Sequence, residues 1–299
     1  MRRITAAALS FLVLCGGALA RGEEAGAAMT GAAAVDLLLL NSDGFSISPP
    51  EGQFDAIAAA IERDAKANPK DARLALGLAL VEQSRGNYKS AREAAERATE
   101  LEPGNALAQY WLGNAVFSGI NDAGMLEKAS LASKGKKAYE KAIELDPNFA
   151  AARYAIAQFY AGAPGIAGGS KKKARAEAEA LLKIDGGEFH GQILLGQLAA
   201  GDKKWDEMTA AYSAAAALAD ASEGKEAASR RAWALRSWAW ALIDSKKDPA
   251  AALPIIDRLA ANSPPDDPTA MFLRAKAYQD LERWAEAATE YKAALAIRP

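Results

Sequence analysis

A degenerate motif returns about every 34 residues from Gly52 to the last residue, and it limits the possible folds more than any other feature of the chain. Each copy runs from a Gly through an aromatic and an Ala, then through apolar positions that close on Asp, Asn or Glu before Pro. Ordinary amphipathic helices repeat their apolar positions at about 3.6 residues without a longer superperiod. A period in this range marks helical hairpins stacked in one dimension, each burying its apolar edge against the next. The expected class is therefore all-α.

The last copy is the plainest, with Ala275 and Tyr278, then Trp284, Ala287, Tyr291 and Ala294, closing on Pro299. The copy at 72–105 has Leu78 and Ala79 before Gly86, Tyr88, Ala91, Ala95, Ala98 and Pro103. The next has Leu112, Gly113 and Val116 and resumes at Tyr139, Ala142 and Pro147. A third has Ile156, Ala157 and Tyr160 followed by Ala174, Ala178 and Leu181, and a fourth has Leu195, Gly196, Trp205, Met208, Tyr212 and Ala215. A weaker fifth, at 233–266, contributes Ala239, Ile243, Ala252, Ile256, Leu259 and Pro264. Ahead of them Gly52, Phe54, Ile57, Ile61 and Pro69 match a lone second helix. Small residues let two helices approach closely, and an aromatic fills the wedge beside them. Pro after an acidic residue stops a helix by removing a donor and restricting the residue before it.

These positions resemble the tetratricopeptide repeat, a pair of antiparallel helices. The resemblance implies a right-handed superhelical solenoid over 51–299, of about six hairpins plus an N-terminal half-repeat. It also implies a protein- or peptide-binding scaffold rather than an enzyme.

At the start of the chain, Arg2 and Arg3 precede an apolar run to Leu14, with Ala18 and Ala20 as a small-x-small cleavage site, so 1–20 reads as a secretory signal peptide. An exported, periplasmic or secreted bacterial product follows from that reading. Lipid anchoring through Cys15 is the weaker alternative, because Leu14 stands where lipoprotein signals carry a small residue. Cleavage after Ala20 removes the only cysteine, leaving no disulfide or cysteine metal ligand. No later stretch is long and apolar enough to form a transmembrane segment. Residues 21–50 read as a flexible leader, although Val35–Leu40 need a surface to bury against and offer a cap for the first hairpin. The formal net charge of −2 becomes about −4 once Arg2 and Arg3 are removed, which does not favour nucleic acid.

Two segments, 118–133 and 161–173, are longer than ordinary hairpin turns and read as loops projecting side by side. The second is similar to a Pro-Gly-Ile-Ala-Gly-Gly segment of exported bacterial repeat proteins. Its Gly168-Gly169-Ser170-Lys171 lacks the spacing and the preceding strand of a phosphate loop and reads as a turn, with Ser170 capping the next helix. His190, the only histidine, has neither an identifiable nucleophile nor a ligand cluster beside it, so no metal or other cofactor is expected.

The resemblance assigns concave-groove positions to Tyr110, Asn114 and Phe117, to Tyr154 and Gln158, to His190, Ile193 and Gln197, and to Phe272, Lys276 and Gln279. Aromatics mixed with amides suit an extended peptide, whose backbone needs hydrogen bonds and whose side chains need apolar platforms. Trp233, Trp238 and Trp240 lie beside Arg230, Arg231 and Arg236 and read mainly as packing of the fifth repeat, with Trp240 facing the core. Carbohydrate or cell-wall-fragment binding is the alternative that tryptophan encourages. An enzymatic site would need a carboxylate pair such as Asp122, Glu127 or Asp185 at the long segments, and no fixed separation is readable there. Self-association through the C-terminal hairpin is a further expectation, since solenoid ends expose an apolar face.

Overall fold

The computed structural model describes residues 29–40, 45, 47, 49–223, 225–264 and 266–297. The signal-peptide reading of 1–20, Cys15 and the closing Pro299 lie outside the described residues.

Among the described residues there are fourteen α-helices and no strand. In chain order they are α1 (Gly31–Leu40), α2 (Phe54–Ala67), α3 (Ala72–Ser84), α4 (Tyr88–Leu101), α5 (Ala106–Ser118), α6 (Met125–Leu145) and α7 (Ala150–Gly162). They continue as α8 (Lys171–Leu181), α9 (Glu188–Gly201), α10 (Trp205–Asp220), α11 (Lys225–Trp240), α12 (Pro249–Ala261), α13 (Thr269–Asp280) and α14 (Trp284–Ile297). Side-chain caps start several of them where the sequence supplies short polar residues. Asp71 accepts from the Leu74 amide at 3.0 Å, Asn105 from Ala108 at 3.0 Å, and Asp248, ahead of Pro249, from Ala251 at 3.2 Å.

Consecutive helices pair as α3/α4, α5/α6, α7/α8, α9/α10, α11/α12 and α13/α14, the six expected hairpins. The turn inside four of them needs one left-handed residue at the same place, supplied by Gly86, Lys203, Lys247 and Glu282. Gly adopts that conformation without penalty, whereas the lysines and the glutamate hold it at a cost of about 1–2 kcal/mol each. First helices of neighbouring hairpins touch one another, as in α3 with α5, α7 with α9, and α11 with both α9 and α13. The second helices make no comparable contact, so the first helices lie on the tighter, concave side. The core is correspondingly a row of clusters, one running from Ala34 to Leu198 and another from Phe189 to Ala277.

Two expectations are corrected. Residues 31–40 are not flexible leader. They form α1, which packs on both α2 and α3 with Ala34, Val35 and Leu38 fully buried. The half-repeat thus gains a first helix. Asp64 of α2 holds its start, accepting from the Gly31 amide at 2.6 Å, and Arg63 donates to the Met29 carbonyl at 2.8 Å. The acidic side chain at this end also suits the helix dipole. The Arg63 guanidinium, with help from the Gly31 amide, keeps the Asp64 carboxyl below its ordinary range.

The segment 118–133 is also not mainly loop. After a short 3₁₀ turn at Ile120–Asp122, the extra residues lengthen α6 to 21 residues, against 14 in α4. Leu131 and Ala138 bury against Leu112, Val116, Ala79 and Ala95, so the insertion extends the core.

Replacing Leu38 by Ala is expected to cost about 2–5 kcal/mol in equilibrium denaturation, as for any fully buried leucine. A change within about 0.5 kcal/mol would mean that α1 is not part of the cooperative fold.

Candidate binding groove

The concave side carries three zones, each built by adjacent first helices. At the N-terminal end, Gln83 and Ser84 of α3 and Trp111, Asn114 and Ser118 of α5 line a cleft of about 360 Å³. Asn114 Oδ1 accepts from the Tyr139 hydroxyl at 2.7 Å, which turns the amide nitrogen toward other partners. Gln83 Nε2 donates to Ser118 Oγ at 2.8 Å, while Gln83 Oε1 is buried without a donor.

The middle zone is aromatic. Tyr154 of α7 meets His190 of α9 edge to face at 5.1 Å, and both meet Trp233 of α11, at 6.1 and 5.5 Å. Phe189 closes the back at 5.3 Å from His190. Gln158 Nε2 donates to the Tyr154 hydroxyl oxygen at 2.7 Å and orients it one turn along the helix.

The third zone is a cleft of about 590 Å³ spanning α9, α11 and α13. Gln197, Arg236, Trp240 and Phe272 stand around it, with Tyr212 of α10 at its floor. Trp240 is 43% and Phe272 46% exposed, a degree of exposure large aromatics lining one cleft seldom keep without a partner. Immediately after Trp240 the helix widens into a π turn at Ala241–Ser245, with the Lys246 amide bonded to the Ala241 carbonyl at 2.9 Å. Such turns occur frequently at functional sites.

Of the groove positions expected from sequence, Gln197 and Phe272 line the third cleft, Tyr154, Gln158 and His190 build the middle zone, and Asn114 lines the first. Tyr110 is nearly all buried against Trp111, Tyr139 and Phe149, and its hydroxyl donates to the Phe45 carbonyl at 3.4 Å. Two assignments are corrected. Ile193 is fully buried in the C-terminal core. Phe117 is a wedge, stacked on Tyr139 at 5.5 Å and meeting Phe159 of the next hairpin at 5.5 Å, over Gly135. Lys276 pairs with Asp280 within α13 at 3.6 Å, and Gln279 accepts from the Tyr291 hydroxyl of α14 at 3.0 Å, so both side chains are engaged.

Trp240, expected to face the core, instead lies on the groove side and lines the third cleft. The buried stripe of α11 runs through Leu235 and Ala239, and at about 100° per residue Trp240 lies roughly 140° from Leu235. Trp233 and Trp238 do pack on the core. Among the described residues no three His, Cys, Asp or Glu side chains converge as metal ligands, and no helix is long and apolar enough to cross a membrane.

The glycine loop is a turn. The Gly169 amide donates to the Pro164 carbonyl at 3.0 Å, the Ser170 amide to Tyr160 at 2.8 Å, and Lys171 pairs with Asp202 at 2.5 Å. Its amides and its lysine are thus already engaged. The turn at Gly165–Ala167 rests on α6, the helix that the first long segment extends.

Residues 76–121 and 238–299 match the family model described as tetratricopeptide repeat. No curated protein sequence matches the chain. Solved structures with the same fold include a tetratricopeptide repeat protein from Parabacteroides merdae, at 15% identity and a TM-score of 0.59, covering 83% of this chain and 88% of that one. PilW, a type IV pilus biogenesis factor, aligns at 16% identity and a TM-score of 0.56, covering 76% and 93%. The APC/C hetero-tetramer Cut9-Hcn1 gives 14% and 0.61, with 83% of this chain on 44% of that chain. At these identities the likeness is one of fold.

Burial raises the phenol pKa of Tyr139 and of Tyr154, and pushes Tyr212 up to about 12, with Tyr154 adding to the effect there. Tyr160 is raised by burial and by its hydrogen bond to Glu140. Each ionises more readily unfolded, where about 10 is ordinary. The stability they contribute is therefore complete below about pH 10 and is lost as pH rises toward 12. Melting temperature followed from pH 8 to 12 is expected to fall above about pH 10, less steeply in Tyr139→Phe. An identical slope in that variant would remove Tyr139 from the account.

Proposed function

The chain belongs to the tetratricopeptide repeat family, and on that premise we propose that its concave surface binds an extended segment of another protein, without catalysis. The observation that carries this reading is the cleft across α9, α11 and α13, where Trp240 and Phe272 are half exposed beside Arg236 and Gln197. Two exposed aromatics with a guanidinium and an amide in the same cleft offer apolar platforms for side chains together with donors and acceptors for a peptide backbone. Three successive helices supply the walls, so a ligand reading all of them has to be extended along the solenoid. A preformed surface of stacked hairpins loses little entropy on binding. Cut9-Hcn1, one of the fold relatives, is itself an assembly of two kinds of chain. The Arg2-Arg3 start, the apolar run and Ala18-x-Ala20 support export and action outside the cytoplasm.

The same aromatic pair also suits the apolar face of a sugar, which makes a cell-wall fragment the second reading. The two readings separate in one experiment. A photo-crosslinking residue is placed at Phe272 and at Gln197, with Glu286 of α14 as an exposed control, in the cells that make the protein. Captured material is then compared with that from Trp240→Ala. One protein captured at both cleft sites, absent at the control and reduced at least tenfold by Trp240→Ala, is the expected result. Glycan captured in its place establishes the second reading, and equal capture at all three positions overturns both.

A further inference from the structure

The middle of the groove is already occupied, and by this chain. Phe45, from the connection between α1 and α2, lies flat on the His190 imidazole, with ring centres 3.6 Å apart and planes 15° from parallel. Its ring meets Tyr154 edge on at 5.7 Å, and its carbonyl oxygen lies 3.4 Å from the Tyr110 hydroxyl, which donates to it. Ile47, two residues on, reaches the first cleft beside Trp111, Asn114 and Gln83. Residues two apart in an extended strand point to the same side. Phe45 and Ile47 both line that first cleft, and Phe45 in addition touches α5, α7 and α9, so the two residues together contact four successive first helices of the groove.

Nothing in the α1/α2 hairpin requires this path. The hairpin is closed by residues 41–53, whereas α3/α4, α9/α10 and α13/α14 are closed by 85–87, 202–204 and 281–283. Connections between packed helices usually take about 2–8 residues, and longer ones tend to serve a function. Here the added length carries an aromatic and an aliphatic residue out of the hairpin and into the groove. Both are partly buried there, packed against the N-terminal core cluster from its groove side.

We propose that the Phe45-x-Ile47 segment is an internal ligand, and that the partner's docking element has the same chemistry: an extended strand with an aromatic residue two positions ahead of an aliphatic one. It would take the place of Phe45 on His190 and Tyr154 and that of Ile47 beside Trp111. Its backbone or side chain would also bring an N–H group to Gln83 Oε1, which is buried here without a donor. Binding is then a displacement. A tethered segment competes at an effective concentration in the millimolar range, so weak segments are refused and only one that also engages the open third cleft prevails. This inference rests on the peptide-groove reading above, but its first test needs no partner.

His190 is the only histidine, so the tag-free protein has one imidazole Cε1–H signal. In the intact chain, stacking on Phe45 places that proton in the ring's shielding field. Phe45→Ala is expected to move the signal downfield, while Phe45→Leu separates loss of the ring from loss of apolar bulk. A fluorescent peptide with the sequence of residues 41–50 is then added in trans. It is expected to bind Phe45→Ala at least tenfold more tightly than the intact protein, to return the His190 signal toward its original position, and to lose binding when its own Phe is replaced by Ala. A His190 signal indifferent to both substitutions overturns the internal ligand, whatever the third cleft binds. A shifted signal with equal binding to both proteins shows that the segment does not occlude the site. A shifted signal with no binding to either removes the proposed partner chemistry. All these readouts lie at α7 and α9, so failure of the peptide reading at Trp240 and Phe272 is seen separately.

Discussion

The structure depends on how closely the two helices of a hairpin approach. A Cβ built on Gly113 of α5 would lie 2.3 Å from the ring of Tyr139 on α6, and one on Gly196 of α9 would lie 2.9 Å from the ring of Tyr212 on α10. In both hairpins a tyrosine of the second helix rests on a glycine of the first, and no side chain fits between them. That contact sets the spacing of the pair and delivers the far end of the tyrosine to the concave side. Tyr139 there orients Asn114, and Tyr212 floors the third cleft. Packing and groove are thus made by the same two residues.

The neighbour contacts follow from this geometry. Thin first helices crowd along the inner edge, and the second helices spread outward with their charges paired across hairpins. Lys134 of α6 with Glu96 of α4 at 2.5 Å and Arg175 of α8 with Glu207 of α10 at 3.2 Å are examples. Pairs this exposed add little stability each, at most about 1 kcal/mol. The buried alanines, leucines and isoleucines hold the row together.

The hairpins were legible because each must satisfy the same packing condition, and repeated packing writes a period into the sequence. The Gly, Tyr and Ala positions could be counted directly, as could Ser170, which caps α8 by accepting from the Lys173 amide at 3.3 Å. α1 was less visible. Its Ala-Val-Asp-Leu-Leu-Leu-Leu run has no second motif to set its register, and its partner surface is made by α2 and α3 together. Trp240 was hidden by a register carried through a weak repeat that ends in a π turn. Phe45 and Ile47 left almost no signal, because two apolar residues among serine, glycine and proline have no period. The available clue was that they are apolar at all in a segment too long for the turn it makes.

One surface therefore has two ends in different states, with Phe45 and Ile47 seated over α3 to α9 and an open aromatic cleft over α9 to α13. Whether the connection truly lies in the groove is tested most directly by replacing Phe45 with the photoreactive phenylalanine derivative that carries a benzoyl group. The dilute full-length protein is then irradiated and the crosslinked peptides are mapped by mass spectrometry. The account predicts an intramolecular link from position 45 to α7 or α9, at or beside Tyr154 and His190. Links to other molecules only, or to helices remote from α7 and α9, would contradict it.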